Sequence, residues 1–290
     1  MFPSLLLPLV VAMVLALLVS SVHRRLPPVL AARLVMVTLV VVVSAAIPTL
    51  WIVSLGYLAH VPFLDVGLSW CAKVFGVHQR IPAWLGVPSL VLTVVGAGRV
   101  VRVVRTFRRL RHDHPGPVEI VGHAKPFAFA LPGRGGHVVL SSALVDLLTE
   151  DEQAVVLAHE VAHTRHRHDR YLLVGQIATA AVPVLRPLTS RVQFSLERWA
   201  DEAAGRECGD RRFVAQTLGK VALHNISPSH MLSFAGLGVT ARVAALLTPP
   251  TANPTSSMLV GLWVAIATTG ILALFQLHHL ASLLAALCPD

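Results

Sequence analysis

The string His159-Glu160-Val161-Ala162-His163 carries the strongest chemical reading in the chain. Residues i and i+4 of a helix share a face, so both imidazoles reach one ion. Zinc takes histidine nitrogen readily and prefers four ligands. Glu160 stands where it can hold a water beside that ion without ligating it. Zinc brings the pKa of such a water toward neutrality, and a neighbouring carboxylate can take its proton. The chemistry that follows is hydrolysis of a polarised carbonyl, with Glu160 passing the proton to the leaving nitrogen. A third ligand is offered by Glu197-Arg198-Trp199-Ala200-Asp201, where Glu197 and Asp201 again stand at i and i+4. Glu197 would complete a His-His-Glu set around one zinc per chain, with water in the fourth position. Asp201 would orient a ligand histidine by accepting its other ring N–H. The competing reading is a non-catalytic regulatory membrane protein with a structural zinc. Such a site is closed by a fourth protein ligand, for which His224 is the candidate.

These side chains need two helices on one side of any membrane. Thr149-Glu150-Asp151-Glu152 forms a capping box that starts a helix over about Glu150–His166. Its first turn is acidic and its last basic, as the helix dipole favours. A second helix is expected over Val192–Gly205. Pro117–Val121, Phe127–Leu131 and Gly136–Leu140 read as short strands of a small sheet, with a turn at Pro132–Gly136 and a short helix over Ser142–Leu148. His166 and His168 read as a basic, solvated cap. His112, His114, His123 and His137 show no ligand spacing, and His224 or His230 is a candidate oxyanion donor.

Hydrophobic residues make up 54% of the 290 and charged ones 13%, too little charge to cover a soluble surface. The mean hydropathy is +0.68. Four apolar runs are long enough to cross a bilayer: Phe2–Val22, Leu34–Leu58, Trp84–Val104 and Met258–Leu277. The net charge of +9 clusters beside these runs, where it sets orientation, so no nucleic-acid partner is expected. No basic residues precede Phe2–Val22 and His23-Arg24-Arg25 follow it, the order of a retained anchor. Arg24, Arg25 and Arg33 follow the first run, only Lys73 and Arg80 the second, and Arg99 to Arg111 the third. Basic, sparse, basic places residues from about 105 to 256 in the cytoplasm, with the arginines from 99 to 111 as an anchor to anionic lipid. Tyr171–Leu188 is apolar but too short to cross, and holds Pro183 and Pro187. Thr248–Ser257 is a Pro/Thr/Ser-rich linker. The expected organisation is a membrane domain (1–111), a cytoplasm-facing catalytic domain (112–250), and a linker with a last membrane helix (251–290). None of Cys71, Cys208 and Cys288 forms a C-x-x-C pair.

Ala128–Gly133, His137–Leu144, the His159–His163 string and Glu197–Ala204 together resemble membrane gluzincin zinc metallopeptidases, over about residues 126–208. Two branches share these features: HtpX-type and CAAX-protease-type enzymes, and BlaR/MecR-type peptidases that cleave a cytoplasmic repressor. The three-helix N-terminal part and the basic stretch Thr164–Asp169 suit the second branch better. Only residues 278–290 follow the last apolar run, so no sensor domain is expected there. The resemblance implies a mainly α, multi-pass membrane protein with a zincin-like peptidase domain and a small β-sheet. It implies zinc ligands at His159, His163 and Glu197, an acid/base at Glu160 and a supporting acid at Asp201. The partners it implies are the lipid bilayer and protein or peptide substrates, in regulatory proteolysis or membrane-protein quality control.

Overall fold

The structure is a computed structural model, described here for residues 2–58, 61, 81–110, 118–132, 137–225, 234–249 and 255–285. Lys73, Arg80, Cys71, Cys288, His112, His114, His230, residues 133–136 of the turn and residues 250–254 of the linker lie outside the described residues.

The apolar runs form helices, because a backbone in lipid must satisfy its own hydrogen bonds. Helix α1 spans Phe2–Val22, α2 Pro28–Leu58 and α3 Ala83–Leu110. Stretches Leu7–Arg25, Pro28–Leu58 and Ala83–Arg109 are long and apolar enough to cross a membrane. Helices α1, α3 and the C-terminal helix expose large apolar side chains such as Leu17, Trp84 and Phe275, a surface suited to lipid.

The sheet has the order β1-β3-β2, with β1 at Val118–Val121, β2 at Ala128–Ala130 and β3 at Val138–Ser141. Strand β3 is buried and pairs parallel with β1 (Val118 opposite Val138) and antiparallel with β2 (Ala128 opposite Leu140). Strand β2 is therefore an edge. Ser141 caps α4 (Ser142–Leu147) by accepting from the Leu144 N–H. Helix α5 (Glu150–Arg165) begins with both arms of the expected capping box in place.

Helix α6 (His168–Ala181) has 14 residues, roughly 21 Å of rise, too short for a hydrocarbon core. A 3-10 turn at Pro183–Leu185 reverses the chain into α7, Arg186–Cys208. Thr189 Oγ1 lies 2.8 Å from Thr179 Oγ1 and 3.2 Å from the Gly175 carbonyl, tying the hairpin together. A Cβ on Gly175 would fall 2.8 Å from Thr189 Cγ2, so glycine permits this approach. The hairpin returns the chain, and α5 and α7 lie side by side. Helix α7 starts at Arg186 rather than near Val192 because Pro187 falls in the first turn, where its missing N–H costs nothing. It ends at Gly209, whose φ of 73° is the left-handed cap that glycine adopts readily.

After α7 come α8 (Arg211–Asn225), α9 (Phe234–Leu247) and α10 (Ser256–Ala285). One apolar core joins Leu34 and Leu39 of α2 to Val192, Leu196 and Trp199 of α7 and Ile266 of α10. A second core joins Val155 and Ala158 of α5 to Ala204 of α7, Val214 of α8 and Leu246 of α9. Helix α7 thus serves both cores. Cations fasten it to the N-terminal helices: Arg198 donates to the Arg24 carbonyl at 3.2 Å, and Arg33 lies 5.8 Å over the Trp199 ring.

Candidate metal centre

The capped helix α5 carries His159 and His163 on one face, and the antiparallel hairpin brings α7 alongside with Glu197. The Nε2 atoms of His159 and His163 are 3.2 Å apart. Glu197 Oε2 is 3.5 Å from His159 Nε2, and Oε1 is 3.5 Å from His163 Nε2. Two ligands bonded at about 2.05 Å to one tetrahedral zinc stand roughly 3.3–3.4 Å apart. The two nitrogens and the carboxylate are spaced close to what zinc requires, and a nitrogen-nitrogen-oxygen donor set is one zinc accepts.

The partners on the far side of each ligand explain this aim. His159 Nδ1 lies 3.1 Å from Asp201 Oδ1, which leaves the Nε2 lone pair facing the centre. His163 Nδ1 lies 2.9 Å from His168 Nδ1, so one of these rings donates to the other. His168 is wholly buried, and its Nε2 has no hydrogen-bond partner among the described residues. Its ring packs 4.9 Å from Trp199, and His166 lies 4.7 Å from the same indole. The expected solvated cap is thus corrected at His168. Arg167, at φ 54°, turns the chain between α5 and α6, and the next residue points inward.

Arg242 of α9 completes the centre and was not marked by the sequence reading. Its Nε and one terminal nitrogen bind Asp201 at 2.8 and 2.7 Å, and its other nitrogen reaches Glu197 Oε2 at 2.9 Å. A lone cation in the apolar run Phe234–Leu247 was the available signal, since a buried charge needs a partner. His224 is not part of the cluster. It is exposed, with its Nδ1 2.9 Å from the Lys220 carbonyl.

Burial opposes charge on His159, but hydrogen bonds to Asp201 and Glu197 outweigh it and raise the imidazole to about 10, so zinc binding at Nε2 would displace a proton from that nitrogen. Burial takes His163 down to about 4 and His168 to about 3. Burial would raise Glu197, yet the His159 hydrogen bond and the Arg242 charge hold it well below the carboxylate range. Asp201 is lowered against its burial by hydrogen bonds from Arg242 and His159. Glu160 differs: burial raises its carboxyl, and the opposing charge of His159 does not cancel this. A carboxylate held above its ordinary value is a better proton acceptor. The Ala130 backbone of edge strand β2 acts in the opposite sense on Glu160, lowering its carboxyl by less than burial raises it. The centre lies in a cleft of about 1110 Å³ whose walls include Phe107, Phe129, Leu131 and Leu172.

A small sheet against a histidine-bearing helix, a carboxylate from the next long helix, and a surround of apolar spans define a mainly α membrane protein with a gluzincin-type, zincin-like domain. Residues 98–195 match Peptidase family M48, and the resemblance to membrane zinc metallopeptidases read from the sequence is borne out. Glu197 and Asp201 fall just beyond the matched residues. The chain is 32% identical over 111 residues to a protease HtpX homolog of Desulforapulum autotrophicum, covering 38% of this chain and 33% of that one. It is 25% identical over 126 residues to a protease HtpX homolog of Halobacterium salinarum, covering 42% and 44%. It is 30% identical over 107 residues to the plastoglobule-localized metallopeptidase 48 of Arabidopsis thaliana, covering 33% and 31%. Each match thus spans less than half of the relative's length. The HtpX names of two of these relatives place the likeness with the HtpX-type branch. No solved structure matches the chain.

Proposed function

We propose that this chain is a membrane-bound zinc metalloendopeptidase that hydrolyses peptide bonds of protein substrates. The observation that carries the reading is the convergence of His159 Nε2, His163 Nε2 and the Glu197 carboxylate, with the two nitrogens 3.2 Å apart and one carboxylate oxygen 3.5 Å from each. Bound there, zinc supplies Lewis acidity to a carbonyl and acidifies a water. Glu160 takes the proton of the attacking water and returns it to the leaving amine. Asp201 holds His159 through its Nδ1, and Arg242 anchors both carboxylates of α7. Strand β2, an unpaired edge among the described residues, borders the cleft and offers backbone groups to an extended substrate.

Three donors converge among the described residues, and they open on the cleft. A structural zinc would need a fourth protein ligand. This supports catalysis over the regulatory reading. The protease names of the relatives support a polypeptide substrate. The arginine pattern supports a cytoplasm-facing site, and we retain the organisation of membrane segment (1–111), catalytic segment (112–250) and C-terminal anchor (251–290).

The test is Glu160→Gln in the full chain. Cleavage of an unfolded protein should fall by about 10²-fold or more, while zinc stays at one per chain by elemental analysis. Undiminished proteolysis by this variant, or wild-type protein that binds no zinc, would end the proposal.

A further inference from the structure

We infer that the cleft selects polypeptide segments bearing acidic side chains, an inference that rests on the peptidase reading. Four arginines line it: Arg102 on α3, Arg165 at the end of α5, Arg167 in the corner, and Arg170 in the first turn of α6. All four are exposed, and none forms an ion pair with a described residue. The acids lining the same cleft are Glu160, Glu197 and Asp169. Glu197 is committed to the centre and to Arg242, and Glu160 to the reaction. Asp169 alone remains against four cations.

Two observations separate these arginines from a membrane anchor. On α3 the residues that line the cleft are Arg102, Val103, Thr106 and Phe107, one helical stripe. Arg105, Arg108 and Arg109 of the same helix are not in that lining. Arg102 therefore faces the cleft while its neighbours remain available to lipid. At Arg167 the backbone takes a left-handed φ of 54°, which a residue with a Cβ adopts at a cost and glycine does not. The corner keeps a long cation at a position whose backbone favours a smaller residue.

Between the arginines the walls are apolar, with Phe107, Phe129 and Leu172. An extended segment with apolar residues over the centre and Asp or Glu on its flanks matches this arrangement. The guanidinium fork takes a carboxylate through two hydrogen bonds, and a cleft concentrates the field of like charges lining it.

The experiment uses the full chain in neutral detergent, with zinc, in the Glu160→Gln background so that the ligand survives. Two fluorescent peptides share an apolar centre and differ in carrying Asp or Lys on the flanks. Anisotropy should show the Asp peptide binding about tenfold tighter or more at low salt, with the advantage shrinking at high salt. The pair Arg165→Glu/Arg170→Glu should abolish or reverse the preference at unchanged zinc content, and Arg165→Gln/Arg170→Gln should fall between. In the catalytically intact chain, cleavage sites mapped in an unfolded protein mixture should be flanked by Asp or Glu. Equal affinity for the two peptides, or a preference untouched by charge reversal, overturns the proposal. So does loss of binding to phosphatidylglycerol vesicles with peptide preference unchanged, because the arginines would then be headgroup ligands. Acid-selective binding by a wild-type chain that cuts nothing would remove the peptidase reading and leave the selectivity standing.

Discussion

The ligand histidines owe their aim to what touches the far side of each ring. His159 leans on a carboxylate, His163 on another imidazole, and His168 is held in turn by Trp199. Removing such a partner typically costs 10–100-fold in metal affinity. His168→Phe keeps the ring volume and the stacking but removes both nitrogens, so competition against a chromogenic chelator should show zinc affinity lower by roughly 10–100-fold. His168→Asn places an acceptor near the lost Nδ1 and should recover most of that affinity. If both variants bind zinc like the wild type, His163 does not depend on His168. The sequence disclosed His159, Glu160 and His163 by their local spacing on one helix, and Glu197 with Asp201 by the same spacing on another. It did not disclose His168 or Arg242. His168 sits among basic residues, so its burial is visible only once α6 packs on Trp199. Arg242 meets Asp201 across a sequence gap of 41 residues, and no spacing rule reaches that far.

Helix α5 carries the centre, so the anchorage of its first turn matters. Lys220 bonds Glu152 at 2.6 Å and the Thr149 N–H bonds it at 2.9 Å, and together they hold its carboxyl below the ordinary 4.5. A carboxyl lowered by folding stabilises the folded state fully above its ordinary value. That contribution is lost as pH falls through the folded value. Amide exchange in the first turn of α5 should therefore accelerate below about pH 4. Glu152→Gln keeps an acceptor for the Thr149 N–H but cannot titrate, and should flatten that acid response. Thr149→Ala should cost about 1 kcal/mol at any pH in thermal unfolding. A first turn equally protected at acid and neutral pH would show that the Lys220 bond does not hold it. The bounds of α5 were legible to within a residue because its signals are side-chain caps. The start of α7 was not, since Pro187 reads as a breaker in a sequence but is a favoured starter once the turn at Pro183–Leu185 precedes it.

At the scale of the molecule, three of the four apolar runs announced helices long and apolar enough to cross a membrane, because length and hydropathy suffice for that; of the fourth, Leu259–Phe275 is a shorter apolar stretch among the described residues. The arginine pattern predicts that a reporter enzyme fused at residue 145 is active as a cytoplasmic fusion and silent as an exported one; the opposite result would invert the topology. The sharing of one core by α2, α7 and α10 could not be read from the sequence, because Val192, Leu196 and Trp199 carry no mark of which helices they meet.

That shared core bears on what happens when the chain is broken. Helix α7 packs along α2 in a core that also takes in residues of α1 and α10, and Arg33 and the Arg24 carbonyl grip it from the N-terminal side. A nick between residues 110 and 118 should release nothing. Fragments 1–111 and 112–290, produced together, should find each other in the bilayer and copurify as a complementing pair that still binds zinc, whereas 112–290 made alone should be degraded.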